Sequence, residues 1–175
     1  MPALEHTSIP SWARGEAASD LDPTGASYLL VAVGAEGSSA HQRVAAWCDE
    51  VAPRPATAIA GPAADALAAP LEAALKQARV GVRLALSGSV GDCLALRALA
   101  VRAGLEDDEI HVETTPGGVI DLHCVHCTAA TSTTAAIDDV VACSGCGRSL
   151  LVYYHVSRRT GRFLGFQVDA EEAVS

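Results

Sequence analysis

Cys124-Val125-His126-Cys127 is followed, after fifteen residues, by Cys143-Ser144-Gly145-Cys146. This C-x2-C-x15-C-x2-C spacing is that of a tetrathiolate metal site. Two cysteines separated by two residues let one tight turn aim both sulfurs at a single ion. Two such turns complete a tetrahedron with arms of about 2.3 Å. Gly147, directly after the second pair, permits the positive φ with which a chain leaves such a knuckle. The first pair is followed by Thr128, so a less regular knuckle is expected there. Four thiolates fill the tetrahedron and leave no position for water or substrate, which makes the ion structural rather than catalytic. Zinc is the expected metal; iron, which four thiolates also hold, is the alternative. With four cysteines available, His123 and His126 are expected to surround the site rather than ligate.

The residues around the cysteines read as a small all-β unit. Val119-Ile120-Asp121-Leu122 enters the first pair as a strand. Residues 149–156 and 163–168 are rich in β-branched and aromatic side chains, and the link 157–162 joins them as a hairpin. A unit of about 55 residues buries too little surface to fold unaided, and a metal supplies the missing free energy. Its four basic residues are Arg148, Arg158, Arg159 and Arg162. The last three crowd the hairpin link, which is either a docking point for an acidic partner or a phosphate, or a solvated loop.

Upstream the texture is different. Residues 28–33, Tyr-Leu-Leu-Val-Ala-Val, form a continuous apolar run of the kind that fits a strand buried on both faces. Further strands are expected at 56–60, 82–86 and 110–113. Helices are expected between them: one with Val44, Trp47, Cys48 and Val51 on its apolar face, one interrupted at Pro70, and one over about 90–103 ending at Gly104. The alternation predicts an α/β fold, a small parallel Rossmann-like sheet with helices on both faces, followed by the metal ribbon. Residues 1–26 read as an irregular segment with Trp12 tucked onto a surface. The turn cluster Thr114-Thr115-Pro116-Gly117-Gly118 places a domain boundary between 27–115 and 116–175. Cys48 and Cys93 read as buried small hydrophobes, although Cys93 lies near a helix N-terminus, where a thiol pKa can fall.

Composition narrows the function. The chain has 175 residues, half of them apolar, and 12 Lys+Arg against 21 Asp+Glu give a formal charge of -9. Such a surface is unsuited to binding nucleic acid, which requires basic contacts to phosphate. No apolar run approaches membrane-spanning length, and no secretory leader is visible, so a cytoplasmic protein with reduced thiols is expected.

The segment from Val119-Ile120-Asp121 through both cysteine pairs and Gly147, then His155-Val156-Ser157-Arg158-Arg159 and Leu164-Gly165 to Asp169-Ala170, resembles the small subunit of dimethylamine monooxygenase. The resemblance implies an accessory subunit of a bacterial multicomponent oxygenase. That system demethylates dimethylamine to methylamine and formaldehyde with NADPH and dioxygen. Flavin, iron–sulfur and haem chemistry would sit on reductase and oxygenase partner subunits. A second resemblance, carried by residues 82–113, is to the nicotinamide-binding half of ferredoxin reductases. Here, however, Ser87-Gly88-Ser89 stands where Cys-Gly-Pro is common, and Gly34-Ala35-Glu36-Gly37-Ser38-Ser39 replaces Gly-x-Gly-x-x-Pro. Glu36 at that loop would repel a phosphate. Competing readings are a rubredoxin-like electron carrier and a nicotinamide-binding reductase component completed by a partner. No catalytic constellation stands out in this chain.

Overall fold

The computed structural model describes residues 7–16 and 19–168. Residues 1–6, and the Asp169 and Ala170 that carry part of the family resemblance, lie outside them. The apolar run forms β1 (Ser27–Val33), followed by α1 (Ser39–Val51), β2 (Ala56–Gly61), α2 (Ala64–Gln77), β3 (Val82–Ser89), α3 (Val90–Arg102) and β4 (Ile110–Thr115). All pairings are parallel, in the order β2-β1-β3-β4. Alternation along β1 sends Tyr28, Leu30 and Ala32 toward α1, where they pack on Val44, Trp47 and Val51. Leu29, Val31 and Val33 face the opposite way, onto Leu67, Leu71 and Leu96 of α2 and α3. Both faces of the central strands are therefore buried, which is why their sequence is continuously apolar.

Pro70 neither ends α2 nor starts a new helix: the helix runs through it. Pro70 is exposed, and the Ala66 carbonyl deprived of its i+4 donor lies on the side where water can reach it. Gly104, at φ 107°, follows the last turn of α3 as expected.

The parallel sheet ends at Thr115 and the second sheet begins at Ile120, on either side of Pro116-Gly117-Gly118. The second sheet contains β5 (Ile120–Cys124), β6 (Ala130–Thr133), β7 (Val140–Ala142), β8 (Ser149–Val156) and β9 (Phe163–Gln167), in the order β6-β5-β9-β8-β7. Strand β6 is too short and polar, and β7 too short, to stand out in the sequence. Leu150, Val152, Tyr154 and Val156 of β8 point inward with Leu122 and Phe163.

The two sheets share α3. Its Cys93, Leu96, Leu99 and Ala100 face the parallel sheet, while Leu94 is fully buried in the ribbon core. A helix clothed on both sides is apolar nearly all round. The N-terminal segment, expected to be irregular, contains a 3-10 turn at Ser11–Arg14. Ile9 is buried in the ribbon core, and Trp12 packs against both cores. Ser8 completes the attachment: its Oγ accepts from the Val156 N–H at 3.0 Å and lies 2.8 Å from His155 Nδ1.

Candidate metal centre

Both cysteine pairs sit at one end of the ribbon sheet, the first between β5 and β6, the second between β7 and β8. Their backbones repeat one pattern. The Cys124 N–H donates to the Ala129 carbonyl and the Thr128 N–H to the Cys124 carbonyl, both at 2.9 Å. In the second knuckle the Cys143 N–H donates to Arg148 at 2.8 Å and the Gly147 N–H to Cys143 at 2.9 Å. Thr128 has φ 64° and Gly147 φ 72°. The first knuckle is thus as regular as the second: Thr128 takes the left-handed conformation despite its Cβ, because the hairpin bonds on either side fix the turn.

The four sulfurs lie within 4.8 Å of one another. Cys124 and Cys146 Sγ are 3.9 Å apart, Cys127 and Cys143 Sγ 3.6 Å. A thiolate tetrahedron with arms of about 2.3 Å has edges of about 3.8 Å, so the donor set fits one ion of that kind. A disulfide, at about 2.05 Å, is excluded for these pairs. Cys124 and Cys143 are buried; Cys127 and Cys146 are half-buried. The Gly145 N–H donates to Cys143 Sγ at 3.4 Å. Amide donors from Cys146 and Gly145 lower the Cys143 thiol to about 6. The Cys127 sulfur also receives an amide, from Ala129, yet withdrawal from water and the neighbouring thiols push it up to about 12. Cys143 is therefore readily a thiolate, whereas Cys127 needs a cation to join it.

Side chains outside the cysteines lock the knuckles together. Thr131 Oγ1, buried, accepts from the Ser144 N–H at 3.0 Å, and Ser144 Oγ donates to the Ala130 carbonyl at 3.1 Å. This strap between β6 and the second knuckle was not legible in the sequence, where Thr131 sits in an unremarkable Thr/Ser/Ala run. His126 is exposed and His123 half-buried, and neither joins the ligand group. Cys48 is half-buried beside the α1 core. Cys93 is fully buried, and burial followed by the charge of Asp92 pushes its thiol far above the ordinary range, so the helix terminus does not activate it.

The hairpin arginines divide. Arg158 reaches the acidic turn that precedes β4, with Nη2 2.7 Å from Glu106 Oε2 and Nε 2.9 Å from Asp107 Oδ2. Arg162 Nε is 4.0 Å from Asp121. Arg159 presents its carbonyl to Arg102, and its side chain is exposed without an ion-pair partner among the described residues. Gly161 (φ 69°) lies so close to α3 that a Cβ there would be 2.4 Å from the Leu94 carbonyl oxygen.

At the parallel-sheet end the chain occupies its own helix termini. Asp92 accepts from the Ala64 N–H at 2.9 Å and from Ser89 Oγ at 2.6 Å, placing a carboxylate at the starts of both α2 and α3. Val119 covers the first turn of α3, since a Cβ on Gly91 would stand 1.8 Å from its carbonyl oxygen. These two helix termini are taken by the protein's own groups.

Fold and thiols together define a Rossmann-like α/β protein carrying a tetracysteine β-ribbon. No solved structure matches the chain. The family described as "Dimethylamine monooxygenase subunit DmmA-like, C-terminal domain" matches residues 121–166. A heme-dependent oxidative N-demethylase delta subunit of Ectopseudomonas mendocina (strain ymp) is 34% identical over 165 residues, covering 94% of this chain and 90% of that protein. The chain belongs to this DmmA-like family of oxidative N-demethylase subunits. Among the described residues no helix is long and apolar enough to cross a membrane.

Proposed function

We propose that the chain is an accessory subunit of a haem-dependent oxidative N-demethylase, with dimethylamine as substrate and NADPH and dioxygen as co-substrates. The observation that carries this is the relationship to the delta subunit over nearly the whole length. The reaction oxidises one N-methyl group: dimethylamine, O2, NADPH and a proton give methylamine, formaldehyde, NADP+ and water. Flavin, iron–sulfur and haem centres reside on the reductase and oxygenase partners in this reading. Glu36, exposed in the loop between β1 and α1, would repel a dinucleotide phosphate there, which supports placing NADPH on a partner.

Within this chain Cys124, Cys127, Cys143 and Cys146 hold one zinc, and the ion closes the 116–175 unit, while 27–115 supplies the α/β scaffold beside it. Zinc bound by four thiolates supplies folding free energy and no open coordination position. A rubredoxin-like iron site is the second reading, favoured by the matching geometry of the two knuckles. Metal analysis with an absorption spectrum separates them, because an iron tetrathiolate is coloured and bleaches on reduction whereas zinc is colourless.

The ribbon is also the assembly surface. On the solvent face of its sheet the tilted rings of Tyr153 and Phe166 have centroids 6.1 Å apart, and Val140 and Val168 beside them are 55% and 54% exposed. A protein with only 4% aromatic residues does not spend two of them on water without a reason. Of the hairpin arginines, Arg159 is the one left to meet an acidic partner. Co-expression with the other subunits tests the reading: Phe166→Glu and Tyr153→Glu lose the complex while keeping stoichiometric metal. Retention of both variants in an active complex contradicts this surface, and failure of the wild-type chain to co-purify contradicts the subunit assignment.

A further inference from the structure

We infer that β2 is the contact through which two copies of this chain join their parallel sheets into one. β2 is an edge strand, Ala-Thr-Ala-Ile-Ala-Gly, without a charge and exposed along most of its length. The Pro55 and Gly61 carbonyls accept from Tyr28 and Gly34 on the β1 side, so the odd-numbered residues pair with β1. The N–H and C=O groups of Ala56, Ala58 and Ala60 therefore point away from the sheet. Sheet edges left flat, uncharged and unpaired attract another strand, and natural proteins usually guard them with lysine or proline inside the strand. β2 has neither between Ala56 and Gly61. Beside it, between β2 and α2, runs an apolar groove of about 830 Å³, at whose rim Val80 is fully exposed.

The occupant is a second copy because the two ends of the strand carry opposite charge. Arg54 and Arg79 stand at the end where β2 begins; Glu36 and Asp65 stand where it finishes. All four are exposed and without ion-pair partners among the described residues. An antiparallel two-fold pairing lays each basic end against the partner's acidic end. With the axis at Ala58, Ala56 faces the partner's Ala60 and Ala58 faces its counterpart, each pair exchanging two hydrogen bonds. Only alanine methyls meet on the α1 side. On the α2 side Ile59 lies opposite the partner's Thr57, at the mouth of the groove. The result is a continuous eight-stranded sheet, with each ribbon left outside the contact.

The test is light scattering on the metal-loaded full chain during size-exclusion chromatography. The expected mass is about twice 17.9 kDa. Ala58→Pro deletes an outward N–H without touching the β1 ladder, and Ala58→Glu sets two like charges at the axis; both are expected to halve the mass while circular dichroism and metal content stay unchanged. A wild-type chain that runs as a monomer at tens of micromolar overturns the proposal. So does a dimer that survives both substitutions. If the chain is monomeric alone and the Ala58 variants drop out of a multisubunit complex, the edge serves a different subunit and the self-pairing is wrong. Assembly through Phe166 is read separately, so either proposal can fail without the other.

Discussion

Thr128 holds a left-handed backbone that costs a β-branched residue about 1–3 kcal/mol, and it does so because the Cys124–Ala129 turn leaves no other conformation. Thr128→Gly should therefore raise stability by about 1 kcal/mol in denaturant titration without changing metal content. A loss of stability would mean that the Thr128 Oγ1 bond to the Cys127 carbonyl matters more than the strain. A second residue-scale expectation concerns acid. Arg83, through a 2.6 Å bond, and then Thr24 hold the Asp22 carboxyl down at about 2. A depressed carboxyl stabilises the fold fully above the ordinary carboxylate range, near 4, and that contribution disappears as pH falls through its own folded value. The stability difference between wild type and Asp22→Asn should thus close between pH 4 and 2. A difference constant over that window would show that the Arg83 contact is not what ties residues 19–25 to β3.

At the scale of elements, the joint between sheets rests on α3, the hairpin and Thr131. Gly161→Ala meets both a positive φ and the Leu94 carbonyl, and should destabilise by about 1–3 kcal/mol. Arg158→Ala, an exposed pair, should cost no more than about 1 kcal/mol. Thr131→Val leaves the Ser144 amide without its acceptor, at about 1–3 kcal/mol, and should speed metal loss to a chelator. Residues such as 28–33 and 149–156 announced their strands because burial on one or both faces imposes a period on the sequence. So did the ligands, whose spacing is dictated by the turn each pair must make. Ala130–Thr133 and Val140–Ala142 carried no such period, since a partner strand, not burial, makes them strands. Arg158 shows the other gap: its acidic partner stands 52 residues earlier in the same chain, and a charge count cannot tell an internal partner from an external one. The exposed Tyr153 and Phe166 were present in the sequence as an apolar run on both faces of β8 and β9. The outward alternation was hidden because Leu151, Tyr153 and Phe166 on the outer face are as apolar as the residues that face the core.

For the whole molecule, metal, ribbon and α/β sheet form a chain of dependence. Cys143→Ser should abolish stoichiometric metal and unfold the ribbon, since burial of about 55 residues cannot hold it alone. The parallel sheet keeps its own core between α1 and α2/α3, so it should retain a separate thermal transition. That transition should fall in temperature, because Leu94 and Trp12 lose the ribbon that covers them. A single cooperative loss of all structure would contradict the division at 116. The most direct measurement of the central claim is X-ray absorption at the metal edge of the purified chain. The account predicts one zinc per chain with four sulfur neighbours at about 2.3 Å and no lighter atom in the first shell. A first shell containing nitrogen or oxygen, or a fully folded ribbon with no metal bound, would contradict it.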